Sequence, residues 1–417
     1  MKKILVVEDS SIVMKVLKHV LSNSDIFQPV YATSFAEAKS LVEGKAEEFF
    51  AGLIDLNLPD APNGEVVDYT LKNGIPTIVL TGSFDEDRRA GLLAKGIVDY
   101  VTKEGRFSYE YALSVLERLI KNQDIKILVV DDSDTARRFI ATLLRIHLYQ
   151  VLEASDGVQA IKLLLDNPDV RLLITDFNMP RMDGCELVKN IRHKYEKTDL
   201  VIIGLSSEGE RSLSARFIKN GANDFLRKPF QHEEFYCRVS HNVEFIELIE
   251  SIRDMVNRDD LTGVYNRKYF YQHGFSLLED AQQKSAPTSI AVIDVDSFRL
   301  VNEDYGNEVG DGVLKGIADE LSALIAQAHF TLARTGSNEF SFVMPGLDAE
   351  KALSFTEKVR QILCSSAINV GEYQIPVSCS AGVSTSSSED LDSLVKNARE
   401  CLQRAKEAGG GFVLGED

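Results

Sequence analysis

The chain is 417 residues long, 44% hydrophobic, and carries a formal net charge of −18. That length corresponds to about two to four soluble domains. The negative charge argues against broad binding to nucleic acid or an anionic membrane, because their phosphates attract basic surfaces. The five cysteines, Cys185, Cys237, Cys364, Cys379 and Cys401, are odd in number and form no CxxC pair. They therefore indicate neither a disulfide framework nor a zinc site and read as small buried hydrophobes. Lys2 and Lys3 precede only a short apolar run before Glu8 and Asp9, so no secretory core is expected there. No stretch approaches the roughly 18 apolar residues of a membrane span. A cytoplasmic protein without membrane partners is expected.

A repeat of about 120 residues occupies positions 1–240. The first copy, 1–122, opens on the apolar run Ile4-Leu5-Val6-Val7 and passes directly into Glu8-Asp9-Ser10. A helical pattern follows, then the buried strand Ala51-Gly52-Leu53-Ile54-Asp55 and the strand Pro76 to Thr81. The joint at Asn122-Gln123-Asp124 is very short. The second copy, 123–240, repeats the order with Ile127 to Val130, then Asp131-Asp132-Ser133, the strand Leu172 to Asp176, and the strand Val201 to Ser206. Apolar strands alternating with helical periods predict β/α units around a parallel sheet buried on both faces. Right-handed crossovers then give an α/β, doubly wound, flavodoxin-like fold for each copy.

Functional residues of such sheets gather at the carboxyl ends of the strands. There the first copy carries Glu8, Asp9, Asp55, Thr81 and Lys103, and the second carries Asp131, Asp132, Asp176, Ser206 and Lys228. Phosphoryl transfer to a carboxylate needs a nucleophilic Asp, oxygen ligands for a divalent cation, and a counter-charge for the phosphate. One acidic pair after a strand is common; five matching positions occurring twice are specific.

Both copies resemble the response-regulator receiver family. The resemblance implies that Asp55 and Asp176 accept a phosphoryl group from a histidine kinase or phosphotransfer protein. It implies Mg2+ held by Glu8, Asp9 and the Asn57 carbonyl, and by Asp131, Asp132 and the Asn178 carbonyl. Thr81 with Lys103, and Ser206 with Lys228, would contact phosphate, while Tyr100 and Phe225 match the switch aromatic. The small residues Gly82 and Ser207 leave the acceptors accessible. The family usually has a cis peptide after the lysine, matched by Lys228-Pro229. Lys103 is followed by Glu104, so the first copy's loop is expected to run differently, with Asp176 the better acceptor.

Next, Phe245, Leu248 or Ile249, Ile252 and Met255 or Val256 recur at three- and four-residue steps, predicting an amphipathic helix within a 241–258 linker. It can pack on its own domain or form a short coiled-coil dimer seam. The segment 259–417 has another rhythm. Strands over 289–294, 328–334, 339–344 and 377–383 and a helix over 312–327 predict an α+β domain with an antiparallel hairpin at Gly336.

Three motifs stand in order there: Asp259-Asp260-Leu261-Thr262, then Asp294-Val295-Asp296-Ser297-Phe298-Arg299, and the hairpin Gly336-Ser337-Asn338-Glu339-Phe340. They resemble the nucleotide-cyclase-like GGDEF diguanylate cyclase family, which condenses two GTP into cyclic di-GMP. The resemblance implies Mg2+ on Asp294 and the Val295 carbonyl, guanine contacts from Asn302 and Asp311, and a phosphate contact from Lys406. The hairpin departs from the family pattern. Ser337 adds a Cβ where a second glycine belongs, and Asn338 replaces a metal carboxylate with an uncharged amide. Glu303, Asn307 and Arg299 are milder changes, and Gly410 stands where a basic phosphate contact is usual. Gln327 and Phe330 replace the RxxD product-inhibition motif.

The expected protein is thus a two-component regulator whose degenerate GGDEF domain binds GTP with impaired cyclase activity. It would homodimerise on phosphorylation and act on a downstream protein. The alternatives are an active cyclase freed from product inhibition and a phosphorelay scaffold with a protein-binding output domain.

Overall fold

The computed structural model describes every residue except 23, 84, 208–212, 327, 329, 387, 389 and 417, and the side chains of Leu213 and Ala326. Gln327, one of the two residues that replace the RxxD motif, lies outside the described residues. The chain divides into two compact units, Met1–Ile249 and Glu250–Asp417.

The first unit holds both copies of the repeat. Copy one runs β1 (Lys2–Val7), α1 (Ser11–Ser22), β2 (Phe27–Ala32), α2 (Phe35–Val42), β3 (Phe49–Asp55), α3 (Glu65–Lys72), β4 (Thr77–Thr81), α4 (Glu86–Lys95), β5 (Asp99–Thr102) and α5 (Arg106–Asn122). Copy two runs β6 (Lys126–Val130), α6 (Asp134–Ile146), β7 (Gln150–Ala154), α7 (Gly157–Asp166), β8 (Val170–Asp176), α8 (Gly184–Ile191), β9 (Val201–Ser207), α9 (Leu213–Lys219), β10 (Asp224–Lys228) and α10 (His232–Asn257). The sheet orders β2-β1-β3-β4-β5 and β7-β6-β8-β9-β10 are the same topology, parallel throughout. Central strands such as β1 and β8 are apolar without alternation because helices cover both faces, giving each copy two core clusters. Helix starts follow local chemistry. Ser34, Asp85, Ser133 and Asp156 cap α2, α4, α6 and α7, and Asp183 with Glu186 forms a capping box on α8.

The two copies also touch. Arg118 of α5 makes a two-pronged pair with Glu247 of α10, at 2.8 and 2.6 Å. Asn122 donates to the His147 carbonyl, and Ile146 and Leu148 pack on the first copy's core. Helix α10 starts at His232, well before the 241–258 linker in which a helix is anticipated, because the last helix of copy two continues unbroken. Its first half buries Phe235, Val239, Val243 and Ile246 in the core of copy two. A different row, Phe245, Leu248, Ile252 and Met255, is exposed. The row anticipated from the sequence is therefore not the one that packs on its own domain.

The second unit contains β11 (Tyr265–Asn266), α11 (Arg267–Gln283), β12 (Thr288–Val295), α12 (Phe298–Tyr305), α13 (Asn307–Ala326), β13 (Thr331–Arg334), β14 (Glu339–Pro345), α14 (Ala349–Ser365), β15 (Ile368–Val370), β16 (Tyr373–Ile375), β17 (Cys379–Ser386), α15 (Leu391–Glu407) and β18 (Val413–Gly415). A mixed sheet of order β11-β13-β14-β12-β17-β18 forms its centre, and β13 and β14 make the expected antiparallel hairpin. Helix α15 lies close on β17: a Cβ on Gly382 would fall 1.9 Å from the Ala398 carbonyl oxygen. Among the described residues no helix is long and apolar enough to cross a membrane.

Candidate functional sites

Parallel pairing brings the carboxyl ends of β1, β3, β4 and β5 together, and with them the first acidic site. Glu8 follows β1, Asp55 ends β3, Thr81 ends β4 and Lys103 follows β5. The Lys103 ammonium lies 2.7 Å from Glu8 and 2.8 Å from Asp55. Glu8 is fully buried and Asp55 nearly so, while Asp9 is exposed. Burial pushes the Glu8 carboxyl up, only partly offset by Lys103. Burial alone would lower Lys103, but its bonds and charges from Asp55 and Glu8 outweigh that and raise it. Glu8, Asp9 and Asp55 present oxygens within 4.8 Å of one another. Three carboxylate donors with one open to solvent fit a hard divalent cation such as Mg2+.

The second site repeats the arrangement at β6, β8, β9 and β10. Lys228 donates to Asp131 at 2.6 Å and to Asp176 at 2.5 Å, with Asp132 exposed beside them. Burial pushes the Asp176 carboxyl up despite Lys228. The donor chemistry again suits Mg2+. The backbone N–H of Asn57 donates to Asp55 and that of Asn178 to Asp176, at 3.2 and 2.8 Å, which orients both acceptors. Beneath Asp176 the chain is close-packed: a Cβ on Gly184 would fall 2.3 Å from its carbonyl oxygen.

The copies differ around the hydroxyl and the aromatic. Thr81 and Tyr100 both donate to the Ser83 carbonyl, at 3.2 and 3.1 Å, tying the aromatic to the loop after β4. Ser206 donates to the Ser207 carbonyl at 3.1 Å, while Phe225 has no hydroxyl and packs 5.8 Å from Phe217. The Lys228-Pro229 bond is cis and Lys103-Glu104 is not. Lys103 reaches both of its carboxylates regardless, so the loop difference does not remove the ion-pair geometry from the first copy.

In the second unit, β12 pairs with β14 and β17, placing Asp294 opposite Glu339 and Ser380. Asn338, at the hairpin turn, donates its amide to the Asp294 carboxylate at 2.8 Å and to the Val295 carbonyl at 3.1 Å. The amide oxygen accepts from the Ser337 hydroxyl at 3.0 Å, while the carboxylate and the carbonyl, both acceptors, fix which side the N–H groups face. Lys406 donates to the same Asp294 oxygen at 2.6 Å. The expected phosphate lysine is thus engaged with a carboxylate here. Burial pushes the Asp294 carboxyl up, with Lys406 opposing. The two atoms expected to ligate Mg2+ both face an N–H donor, and this geometry does not fit a metal.

Glu339 is also engaged. Arg399 grips it at 2.6 and 3.2 Å, and the Thr335 hydroxyl donates to it at 2.7 Å. Arg399 escaped the sequence reading, although it lies seven residues before Lys406, nearly two turns away on the same side of α15. Asp296, part of the second motif but given no role from the sequence, accepts from the Ser378 and Ser380 hydroxyls and the Gly411 N–H. The Ser337 backbone is not left-handed, so its Cβ is not held in a strained conformation. Gly336 is the tight position, where a Cβ would fall only 3.0 Å from that of Glu339. Phe340 is fully buried in the core. Asn302 on α12 lies against Gly310, where a Cβ would meet its oxygen at 1.9 Å, next to the exposed Asp311 on α13.

The family model of the response regulator receiver domain matches residues 127–240, and that of the GGDEF domain of diguanylate cyclases matches residues 256–411. Response regulator PleD of Caulobacter vibrioides is 27% identical over 302 residues, covering 70% of this chain and 66% of that protein. The chain therefore matches slightly less than two thirds of this relative's length. A chemotaxis protein CheY homolog of Campylobacter jejuni is 48% identical over 107 residues, covering 25% of this chain and 82% of that one. A crystal structure of a putative two-component system response regulator/GGDEF domain protein aligns with TM-score 0.54 at 42% identity, covering 59% of this chain and all of that one. With two receiver folds followed by a GGDEF fold, the chain belongs to the response regulators that carry a GGDEF domain.

Proposed function

We propose that Asp55 and Asp176 take a phosphoryl group from a histidine kinase or phosphotransfer protein and thereby control a GGDEF domain impaired in cyclic di-GMP synthesis. The observation that carries the first half is a lysine drawn between two buried strand-end carboxylates, found twice. A carboxylate oxygen of Asp55 or Asp176 attacks phosphorus; a P–O bond forms as the P–N bond of the donor's phosphohistidine breaks. Lys103 or Lys228 then turns from the acceptor to the new phosphate oxygens, and the Thr81 or Ser206 hydroxyl donates to one of them. Mg2+, which receiver domains generally use, would neutralise phosphoryl charge from Glu8, Asp9 and the Asn57 carbonyl, or from Asp131, Asp132 and the Asn178 carbonyl.

The second half rests on Asn338, whose amide occupies Asp294 and carries no charge. The Asn302 and Asp311 positions support retained binding of GTP through its guanine. For the dimer, the exposed row Phe245, Leu248, Ile252 and Met255 has the three- and four-residue spacing of a helix seam with a second copy. The phosphorylated dimer would present its output domains to a downstream protein.

Intact-mass measurement after acetyl phosphate and Mg2+ tests the acceptors. Up to two added phosphoryl groups are expected, one lost with Asp55→Asn and one with Asp176→Asn; no added mass overturns the reading. Incubation with GTP and Mg2+, with and without beryllofluoride, tests the output. Little or no cyclic di-GMP is expected, and rapid turnover would make the chain an active cyclase. Analytical ultracentrifugation with beryllofluoride tests the dimer, and an unchanged mass would count against it.

A further inference from the structure

We infer that the hairpin site binds its guanine nucleotide without a divalent cation, because the Asn338 amide has taken the cation's position. This rests on the proposal that Asn302 and Asp311 bind guanine. A cation between Asp294 and the Val295 carbonyl would accept electron pairs from two oxygens. Those same oxygens receive N–H groups of one amide, at 2.8 and 3.1 Å. A primary amide has two N–H donors, and both are used here.

Admitting Mg2+ requires this amide to turn and give up both donations, at 2.8 and 3.1 Å. The Ser337 hydroxyl, which donates to the amide oxygen, would accept an N–H after such a turn. The hairpin backbone cannot easily withdraw either, since the Val295 N–H donates to the Asn338 carbonyl at 3.2 Å. Lys406 supplies a full positive charge to Asp294, so the carboxylate is neutralised from within the chain. Glu339, the remaining acid of the hairpin, is held by Arg399 and Thr335. The receiver carboxylates have protein partners too, so what sets this site apart is the N–H donor at position 338 in place of a further carboxylate. Magnesium demands near-octahedral oxygen ligands at short distance, and an N–H donor cannot serve as one.

The experiment is a titration of the full-length protein with a fluorescent N-methylanthraniloyl GTP, in Mg2+ and in EDTA at matched ionic strength. The expected dissociation constants agree within about twofold. Asn338→Asp should restore metal dependence, binding at least about tenfold tighter in Mg2+ than in EDTA. Binding by the unaltered protein only in Mg2+ would overturn the inference while leaving the nucleotide site intact. An Asn338→Asp protein as indifferent to Mg2+ as its parent would also overturn it, since residue 338 would then not decide metal entry. No binding under either condition would remove the guanine site itself, and the inference with it.

Discussion

The receiver pockets and the hairpin site start from the same device and end differently. Each buries an Asp at a strand end and sets a lysine 2.5–2.8 Å from it. In the receivers the neighbouring positions are further carboxylates, one of them exposed, and in the first copy three carboxylates cluster within 4.8 Å. At the hairpin the neighbour is an amide that donates, and the site is closed by its own hydrogen bonds. Beside Asp294 the hairpin carries a carboxamide, so an N–H donor faces that acid where the receivers set a second carboxylate.

The largest effects should come from the glycines on which the two kinds of site lean. In Gly382→Ala the new Cβ meets the backbone of α15 at 1.9 and 2.3 Å. It should cost about 3 kcal/mol by overpacking and displace Arg399 and Lys406 together. Gly184→Ala should act similarly under Asp176. Thermal unfolding followed by calorimetry checks both, and near-normal transitions would show that the backbones yield cheaply.

Lys228→Ala leaves Asp131 and Asp176 without their shared cation. A destabilisation of about 2 kcal/mol is expected in metal-free buffer, below the buried-pair range because Lys228 is partly exposed. Urea denaturation should show Mg2+ recovering part of it. Lys406→Ala should gain nothing from Mg2+, and an equal recovery there would erase the contrast.

Acid sensitivity separates the Asp176 pocket from the rest of its receiver. Asp176 is raised above its ordinary 3.8, so its contribution favours the fold at low pH and diminishes as pH rises through that raised value. His147 works oppositely. Burial, with His232 adding, pushes it down to about 3 from 6.5. Its neutral form is held only by the folded state, so stability is full above 6.5 and is lost as pH falls toward 3. The slope is about 1.4 kcal/mol per pH unit. His147→Gln should flatten that limb in urea midpoints taken at pH 7, 6 and 5. An unchanged slope would return the acid sensitivity to other groups.

The smallest effect is expected at the contact between receivers. Arg118→Ala removes the pair with Glu247 and should cost about 1 kcal/mol, since Glu247 is a third exposed. Hydrogen exchange should report local loosening of α5 and of α10 around Glu247, with both acceptor pockets unaffected.

Much of this architecture was legible in residue order. Strand periodicity and the doubled acidic pattern identify two parallel sheets and the side chains at their carboxyl ends, because pleat and crossover handedness leave few other arrangements. The hairpin at Gly336 was legible for a similar reason, the two strands being adjacent in sequence. The start of α10 at His232 was not, because its first rows satisfy the core of copy two and its later rows do not, blurring a single period. Arg399 and Asp296 were also hidden. Their partners, Glu339 and the Ser378–Gly411 segment, lie 60 to 115 positions away. Local pattern determined that Asn338 had lost a charge. Only the pairing of β12 with β14 decided that its amide would turn onto Asp294 and Val295, since that choice depends on which acceptors the sheet register sets opposite the turn.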